Sequence, residues 1–510
     1  MSIEIISRAS RYADQIAVID PSGEYTYSQI LDLATSISEK LLSNKSDLNE
    51  ECILFMVSPG HKYIATQWGI WMSGGIAVPI ALSHPVEEIN HIVDDTFTKN
   101  IIFDPEFSKI LNKIKNQNDI QFINTNQIDT CTLNKKRPQI DESRKAMIIY
   151  TSGTTNKPKG VVTTHLNIKA QITTLVKSWQ WTSSDHILNV LPLHHVHGIV
   201  NAMLCSLWSG ATCEFLPDFD PAKIWNKLSN NKTTLFMAVP TMYEKLISFW
   251  EDLPSKNQKI ITNHISNLRL MVSGSDALLP ITLKKWKLIT NHTLLERYGM
   301  TEIGMALSNP LIGPRIPGFV GIPLPGVHVR ICSIDFDSKE NPVSLDVEVP
   351  PGNEGELQIK GKNVFLEYWN NPEETSRSFS KDGWFRTGDI SSIENGIYKI
   401  LGRASQDIIK TGGEKVSANE IQYVLRTHPE IKECAVVGIK DNKWGEAVSA
   451  ALVLEKESTL NRTKLRNWAK TKLINYKVPQ KILIVESLPR NAMGKIIKPK
   501  IKEMFSKKFN

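Results

Sequence analysis

Short apolar runs alternate with segments of helical periodicity between residue 146 and about residue 300, and this alternation limits the fold most strongly. Each run has the length of a buried strand, and each segment between runs is long enough for a crossover helix. Thr163 or Thr164 can cap the first helix, and Gly210 can end the second. The runs are AMIIY, HILNVLPL, ATCEFLP, TTLFMAVP and LRLMVSG. The pattern predicts an α/β fold in which crossover helices cover a sheet.

The pattern changes beyond residue 326, where short strands between Gly, Pro and Asp turns predict a β-rich subdomain at about 326–402. Residues 336–353 within it are expected to form a surface loop. A smaller α+β unit follows, with the helix NEIQYVLRTH and the strands CAVVGI and AVSAALVLE. We therefore predict a large N-terminal domain of stacked αβ sheets over residues 1–402, and a small α+β C-terminal domain over residues 403–510.

Charge and cysteine content exclude several classes of protein. The 60 Lys and Arg against 53 Asp and Glu give a formal net charge of +7, too small to indicate a nucleic-acid partner. The six cysteines are scattered without a CxxC pair, which argues against zinc and disulfide frameworks and favours a reducing compartment. The start of the chain lacks a signal or transit pattern, and no run reaches the roughly 18 apolar residues of a membrane span. We expect a cytoplasmic protein with no integral membrane segment, either a monomer or a homodimer.

A polar loop follows the run AMIIY directly and precedes a helix. Hydroxyl and backbone N–H groups in such a position are suited to hold phosphate, and Lys159 adds a positive charge. The loop residues are Thr151, Ser152, Gly153, Thr154 and Thr155. The loop is not a Walker motif, because Pro158 stands where the second glycine of that motif should precede the lysine. For such a run on its own, a polar surface loop is the alternative.

The loop YTSGTTNKPKG (150–160) resembles the signature of the adenylate-forming superfamily, which includes acyl-CoA synthetases and non-ribosomal adenylation domains. Six further segments resemble the other signatures of the superfamily and occur in the same order. They are LPLHHVHG (191–198), SGSDALLP (273–280), ERYGMTE (296–302), WFRTGD (384–389), GRASQDIIKTGGEKVSANEIQ (402–422) and PRNAMGK (489–495). Seven ordered matches spanning nearly the whole chain are far more specific than any one of them.

The resemblance implies a nucleotide site. It implies that Tyr298 stacks on adenine, Thr301 lies near the α-phosphate, and Glu302 holds Mg²⁺, which prefers oxygen ligands. It also implies that Asp389 accepts from both ribose hydroxyls, although an Asp after Gly more often forms a turn. Lys495 would bridge the carboxylate and the α-phosphate, the alternative being one more surface lysine. The remaining residues of the implied ATP site are Gly274, Ser275, Asp276, Gly299, Met300 and Arg403.

The superfamily performs two half-reactions, and the resemblance carries both to this chain. The substrate carboxylate first attacks the α-phosphate of Mg·ATP, and the thiol of coenzyme A then attacks the acyl-adenylate and releases AMP. Between the two steps the small domain is expected to move, removing Lys495 and bringing Lys410, Gly412 and Gly413 to the pantetheine arm. Trp444 would flank that tunnel, although a core tryptophan is an equally good interpretation.

Arg297 points to the acid that is activated. It precedes the Tyr-Gly turn, where an arginine can hold a second carboxylate through two hydrogen bonds and an alkyl tail would leave it unpaired. His195 and His197 add polar lining, and Ser273 or Ser275 can donate a further hydrogen bond; a zinc site lacks Cys or acidic ligands. Together with the flanking segments, this set resembles the malonyl-CoA synthetase branch of the superfamily. We therefore predict malonate as the substrate, with methylmalonate accepted less well.

Two other functions stay open at this point. A medium-chain fatty or aryl acyl-CoA synthetase would share the nucleotide motifs, although Arg297 and the histidines argue against an apolar acid. A catalytically inactive nucleotide-binding scaffold protein would share the fold, although Glu302, Asp389 and Lys495 argue against it. The resemblance includes a mitochondrial branch, so the mitochondrial matrix is the alternative to the cytoplasm.

Overall fold

The alternating strands and helices build two large sheets. The computed structural model describes residues 3–114, 119–128, 137–151, 158–265, 268–337, 342–490 and 496–509. Over these residues the first sheet has nine strands, of which the six central ones run parallel, while antiparallel strands close both edges. In spatial order its strands are Ile322–Pro323, Gly304–Ser308, Leu295–Met300, Leu270–Ser273, Leu235–Ala238, His186–Asn189, Thr212–Phe215, Ile16–Asp20 and Gly23–Thr26.

The second large sheet has seven strands within the described ranges, and it carries the strand that leads into the predicted phosphate loop. Five of its strands run parallel, and an antiparallel pair extends one edge. In spatial order they are Glu367–Tyr368, Lys159–Thr164, Lys145–Thr151, Ile76–Pro79, Cys52–Met56, Asn100–Phe103 and Gln121–Asn124. The run AMIIY is therefore confirmed as a buried strand.

Helices pack between the two large sheets and on both outer faces. The side chains of the strand Cys52–Met56 point alternately to the two faces of the sheet. Ile53 and Phe55 pack into the central core, whereas Leu54 and Met56 pack into an outer core. The central helices are Glu4–Ala9, Tyr27–Leu42, His61–Met72, His165–Ser178 and Cys205–Ser209. The outer helices are Val86–Thr96, Ser108–Leu111, Pro221–Leu228, Pro240–Glu251, Ser255–His264 and Pro280–Thr290.

Two predicted helices of the large domain begin and end as the sequence indicates, with one change in geometry. Thr164, rather than Thr163, caps His165–Ser178 through a capping box with Asn167. The next helix starts as a π-helix over His197–Leu204 and ends at Gly210, whose φ of +77° an L side chain rarely adopts. A π-helix frequently marks a functional site, and this one begins at a predicted pocket histidine.

The β-rich subdomain is a five-stranded antiparallel sheet. Its strands in spatial order are Pro342–Glu348, Val327–Phe336, Gly355–Gly361, Phe385–Glu394 and Ile397–Arg403. The prediction of a surface loop over residues 336–353 is therefore wrong in its centre. Val343, Leu345 and Val347 alternate as strand residues do, but they lie 44%, 51% and 62% exposed on an edge strand. Such an alternation usually arises because one face of a strand is buried, but on this edge strand the apolar side chains are exposed.

The small domain is a mixed sheet with helices on both faces. Its strands are Glu414–Ser417, Ile408–Thr411, Gly445–Leu454, Ile431–Asp441 and Lys481–Ile484. The helices Ala418–Leu425 and Arg462–Lys470 cover one face, and Lys498–Phe509 covers the other. Arg426, directly after the first helix, reaches Glu244 on the large domain at 3.3 Å. The short helix Pro372–Ser378 belongs to the large domain. Among the described residues, no helix has the length and apolar character needed to cross a bilayer.

Candidate active site

Tyr298, Asp389 and Arg403 come together from three separated motifs. Tyr298 Oη donates to Asp389 Oδ2 at 2.5 Å, and Arg403 Nε lies 2.9 Å from Asp389 Oδ1. Asp389 and Arg403 meet because they are cross-strand partners in the five-stranded sheet. Burial and the nearby charge of Asp389 raise the pKa of Tyr298 well above its usual value, so the phenol stays a neutral donor. A carboxylate held in this way is suited to accept from two sugar hydroxyl groups.

A tight hairpin presents the residues that follow Tyr298. Gly299 has no room for a side chain, because a Cβ there would lie 1.9 Å from the carbonyl oxygen of Gly304. The hairpin joins Leu295–Met300 to the next strand, and Met300 and Thr301 are partly buried at its turn. This geometry explains why the motif contains glycine, and it places Thr301 beside Glu302 at the end of a strand of the nine-stranded sheet.

Glu302 is a buried carboxylate among groups of positive charge. It is 7% exposed, and Tyr368 Oη donates to its Oε1 at 3.0 Å. Lys159 Nζ lies 5.4 Å from the centre of the Tyr368 ring and forms an ion pair with Glu374. Burial raises the pKa of Glu302, while the hydrogen bond from Tyr368 and the charges of Arg403 and Lys159 oppose the rise. One buried hard oxygen of this kind fits Mg²⁺, which takes one or two carboxylates together with phosphate oxygens.

Part of the predicted ATP site lies outside the described residues. Thr151 and Lys159, which flank the predicted phosphate loop, are partners in adjacent strands. The predicted residues that lie outside the described ranges are Ser152, Gly153, Thr154, Thr155 and Lys495. Their roles stay predictions.

Arg297 is a buried cation facing the segment Gly274–Ser275. Its side chain is packed so closely on Gly274 that a Cβ at residue 274 would lie 2.5 Å from the guanidinium carbon. Only 3% of Arg297 is exposed, and burial lowers its pKa to about 9. Nη2 approaches Ser275 Oγ at 3.5 Å, and Nε is buried with no hydrogen-bond partner among the described residues. Burying a positive charge in this way costs free energy unless an anion forms an ion pair with it.

His197 and Arg297 both approach Ser275, and Ser273 is paired with the residue that precedes Arg297 in the adjacent strand. His197 Nδ1 is 3.3 Å from Ser275 Oγ, and its buried Nε2 has no hydrogen-bond partner within the described residues. Burial and the charge of Arg297 lower the pKa of His197 well below its usual value, so the ring is neutral. Ser273 ends the neighbouring strand, and its buried hydroxyl likewise has no partner in the described part of the chain. His195 packs beside His194, with ring centres 4.1 Å apart. Buried polar groups without partners near the ends of parallel strands are suited to bind an anion.

A family model described as AMP-binding enzyme matches residues 6–369, and a second model, AMP-binding enzyme C-terminal domain, matches residues 420–495. The chain belongs to the AMP-binding enzyme family. It is 43% identical to the mitochondrial malonate–CoA ligase of Mus musculus over 98% of this chain and 90% of the relative. It is 38% identical to a malonate–CoA ligase of Arabidopsis thaliana over 98% and 87%. These matches confirm the resemblance to adenylate-forming enzymes.

Solved structures show the same architecture. ATP-bound MatB from Rhodopseudomonas palustris is 28% identical, with a TM-score of 0.89 and both chains completely covered. The predicted fold class, with a large α/β domain, a β-rich subdomain and a smaller C-terminal domain, is thereby confirmed.

The residues predicted to bind coenzyme A form a separate group on the small domain of this AMP-binding enzyme. Gly412 and Gly413 make the turn between Ile408–Thr411 and Glu414–Ser417, with φ of +60° and +86°. Trp444 is partly buried against Gly412, whose N–H donates to the Trp444 carbonyl at 2.8 Å. Lys410 N–H donates to Glu446 Oε2 at 2.8 Å. Trp444 is thus not a core residue, and the role of this group with coenzyme A stays a prediction.

The sequence did not reveal the side chains that position the predicted site residues. Tyr368 and Glu374 position Glu302 and Lys159 from a segment between two recognised motifs. The segment FLEYWNNPEET shows two aromatic residues among polar ones, which is also typical of an ordinary loop. Asp276, which the resemblance assigns to the ATP site, has an exposed side chain that accepts from Ala277 N–H at 2.9 Å.

Replacing Asp389 by asparagine is expected to raise the KM for ATP by about 10- to 100-fold, because a hydrogen bond to a charged group contributes about 1.5 to 3 kcal/mol. The measurement is pyrophosphate release against ATP concentration at saturating acid. Asp382→Asn is the matched control, since Asp382 pairs with Arg330 at 2.9 Å on the surface. An equal rise in KM for both variants would contradict the role of Asp389.

Replacing Glu296 by glutamine is expected to stabilise the fold increasingly as the pH rises from about 5 to 8. Burial raises the pKa of Glu296 from 4.5 to about 8, and its Oε2 has no hydrogen-bond partner among the described residues. Above pH 4.5 the unfolded chain therefore binds fewer protons than the native one, so wild-type stability falls with rising pH. The difference should reach a few kcal/mol, on the order of 3, near pH 8. Chemical denaturation at several pH values measures it, and a difference that does not depend on pH would contradict this prediction.

Proposed function

We propose that this chain ligates malonate to coenzyme A at the expense of ATP, giving malonyl-CoA, AMP and pyrophosphate. The observation that carries the choice of acid is the buried guanidinium of Arg297, whose Nε lacks a hydrogen-bond partner among the described residues. A short dicarboxylate can place one carboxylate on this cation and the other at the nucleotide. The mouse and Arabidopsis relatives carry malonate–CoA ligase in their names, which agrees with this choice.

The two carboxylates of malonate are proposed to have different roles, one in binding and one in reaction. One malonate carboxylate binds Arg297, and an oxygen of the other attacks the α-phosphorus of ATP, so that pyrophosphate leaves. The coenzyme A thiolate then attacks the acyl carbon, and AMP leaves. Asp389 and Tyr298 orient the nucleoside, and Lys495 is proposed to stabilise the charge that passes between carboxylate and α-phosphate. Bound Mg²⁺, held by Glu302, supplies positive charge to the phosphates.

Neutral His197 suits the same pocket. Because its pKa lies well below the usual value, the ring adds no second buried cation beside Arg297. It can donate one hydrogen bond to a carboxylate while Ser275 orients the other ring nitrogen. We propose that His195, Ser273 and Ser275 complete this polar wall. Methylmalonate carries an additional methyl group, and it is expected to react more slowly than malonate.

A substrate panel tests the function. AMP formation is measured with ATP, Mg²⁺ and coenzyme A, and with malonate, methylmalonate, acetate, butyrate, octanoate or benzoate as the acid. The highest kcat/KM is expected for malonate. A preference for octanoate or benzoate would support the fatty or aryl acyl-CoA synthetase instead. Nucleotide binding without release of pyrophosphate for any acid would support the inactive scaffold.

We propose that the domain boundary falls at residues 402–403 and that the small domain turns about the connecting segment 404–407, which contains Ser405. Arg403 is the last residue of the five-stranded sheet, and the small sheet starts at Ile408. The Arg403 backbone N–H donates to Asp407 Oδ2 at 2.7 Å, so a rotation of the small domain about this point would change the surroundings of Arg403. Limited proteolysis with and without ATP tests this location.

We propose the mitochondrial matrix as the site of action, in preference to the cytoplasm expected from the sequence. The support is the word mitochondrial in the names of the mouse and human relatives, each 43% identical to this chain. Fractionation of cells with protease protection of the endogenous protein tests it. Recovery in the cytosolic fraction would restore the original expectation.

A further inference from the structure

We propose that Asp95 and His91 are positioning residues that fix both ends of the phosphate loop and thereby set the affinity for ATP. This inference rests on the proposed role of the loop as the seat of the β- and γ-phosphates. Both residues lie on the helix Val86–Thr96, four positions apart and therefore on one face. That helix carries none of the motifs that resemble the superfamily signatures.

The first contact holds the strand that enters the loop. Tyr150 Oη donates to Asp95 Oδ2 at 2.5 Å, although 55 positions separate the two residues. Tyr150 is 8% exposed, and burial together with the neighbouring carboxylate raises the pKa of its phenol. The phenol therefore stays protonated and donates. Thr151, the next residue, is the first residue of the loop.

The second contact holds the strand that leaves the loop. His91 Nε2 lies 3.2 Å from the carbonyl oxygen of Pro158, which can only accept, so this nitrogen carries the hydrogen. Lys159, the predicted phosphate cation, follows directly. The His91 and Tyr150 rings also meet edge to face, with centres 6.2 Å apart. One helical turn thus contacts the residues on both sides of the loop.

The helix is itself anchored independently of the Asp95 carboxylate. Trp369 Nε1 and Asn370 Nδ2 donate to the backbone carbonyl of Asp95 at 2.9 and 2.8 Å. Trp369 N–H in turn donates to the Gly160 carbonyl at 2.8 Å. A side-chain replacement at Asp95 leaves these backbone contacts in place. The contribution of the carboxylate can therefore be separated from that of the helix.

Holding the residues on both sides of a binding loop in place before the ligand arrives reduces the entropy lost on binding. Only ligands that contact the loop bind more tightly as a result. The affinity for ATP is therefore raised, whereas the affinity for AMP, which lacks the β- and γ-phosphates, is not. For the same reason, the two half-reactions are expected to depend differently on the loop. Formation of the adenylate depends on the loop, whereas transfer of the acyl group from a preformed adenylate to coenzyme A takes place after pyrophosphate has left.

The test compares Asp95→Ala and Tyr150→Phe with wild type in equilibrium binding of α,β-methylene-ATP and of AMP. Each variant is expected to bind the ATP analogue about tenfold more weakly, because the ligand must then position the ends of the loop itself, and to bind AMP as wild type does. The double variant should be no weaker than the weaker single one, because both changes remove the same contact. His91→Ala should show the same selectivity with a smaller loss. Asp94→Ala is the matched control, since Asp94 is the exposed neighbour on the same helix.

Equal losses for AMP and for the ATP analogue would overturn the proposal, because they indicate general damage to the site. No loss for either nucleotide would overturn it as well. Tyr150→Phe removes one oxygen atom only, so it decides the question if Asp95→Ala does not fold. A wild-type protein that binds both nucleotides but makes no malonyl-CoA would refute the proposed function and leave this comparison intact. Transfer from preformed malonyl-adenylate to coenzyme A should be unchanged in every variant.

Discussion

Arg297→Met is expected to lower kcat/KM for malonate by about 100- to 1000-fold, since removing one partner of a desolvated charge pair costs about 3 to 5 kcal/mol. The second malonate carboxylate would then enter a buried pocket without a counter-ion. The same change should leave the melting temperature equal or higher, because Arg297 is 3% exposed and forms no ion pair with a carboxylate in the described part of the chain. Activity and stability are thus expected to move in different directions. Steady-state kinetics and thermal unfolding measure the two effects.

Arg297→Lys and a second acid serve as controls for this prediction. Lysine keeps the charge but cannot form two parallel hydrogen bonds, so an intermediate loss is expected. The KM for ATP should change little in either variant, because the proposed nucleotide contacts are made by Tyr298 and Asp389, which bind each other. Butyrate, which has no second carboxylate, should gain relative to malonate in Arg297→Met. An unchanged ratio of malonate to butyrate would show that the guanidinium does not recognise the acid.

Lys495→Ala is expected to slow adenylate formation by about 100- to 1000-fold, the loss that follows when a group stabilising transition-state charge is removed. The ammonium is proposed to meet the oxygens of the carboxylate and the α-phosphate while charge passes between them. Conversion of preformed malonyl-adenylate and coenzyme A to malonyl-CoA should proceed at the wild-type rate. Rapid-mixing experiments on each half-reaction measure the two rates.

Lys500→Ala is the matched control for Lys495, because Lys500 is exposed on the C-terminal helix Lys498–Phe509 and carries the same charge. Its adenylation rate is expected to equal that of wild type. If both half-reactions slowed equally in Lys495→Ala, the lysine would have a structural role and the proposed division of labour would be wrong.

Local features of the fold were predictable because they depend on neighbours in sequence. Thr164 caps its helix through a residue three positions away, and the run AMIIY forms a strand because its apolar side chains are consecutive. The proposed pocket also agrees with a general rule, since ligands bind at the carboxyl ends of parallel strands. Ser273 ends its strand, and Arg297 follows the last residue of the adjacent strand that pairs with it in parallel.

Other features depend on contacts between distant segments, which no periodicity encodes. Tyr368 reaches Glu302 across 66 positions, and Tyr150 reaches Asp95 across 55. The edge strand Pro342–Glu348 escaped prediction for a different reason, because its apolar side chains face outward. The π-helical start at His197 also depends on packing, since its residues fit an α-helix equally well by composition.

Because the small domain is proposed to move between the two half-reactions, we expect the contact between Arg426 and Glu244 to make their partition sensitive to ionic strength. The two side chains form an ion pair between the domains at 3.3 Å, with 16% and 32% of the side chains exposed. A partly exposed pair contributes about 1 kcal/mol or less, and dissolved ions weaken it. Raising the salt concentration should therefore release the small domain from its present orientation at little energetic cost. The chain would then spend a several-fold larger share of its time in other orientations, without any change in the chemistry of either step.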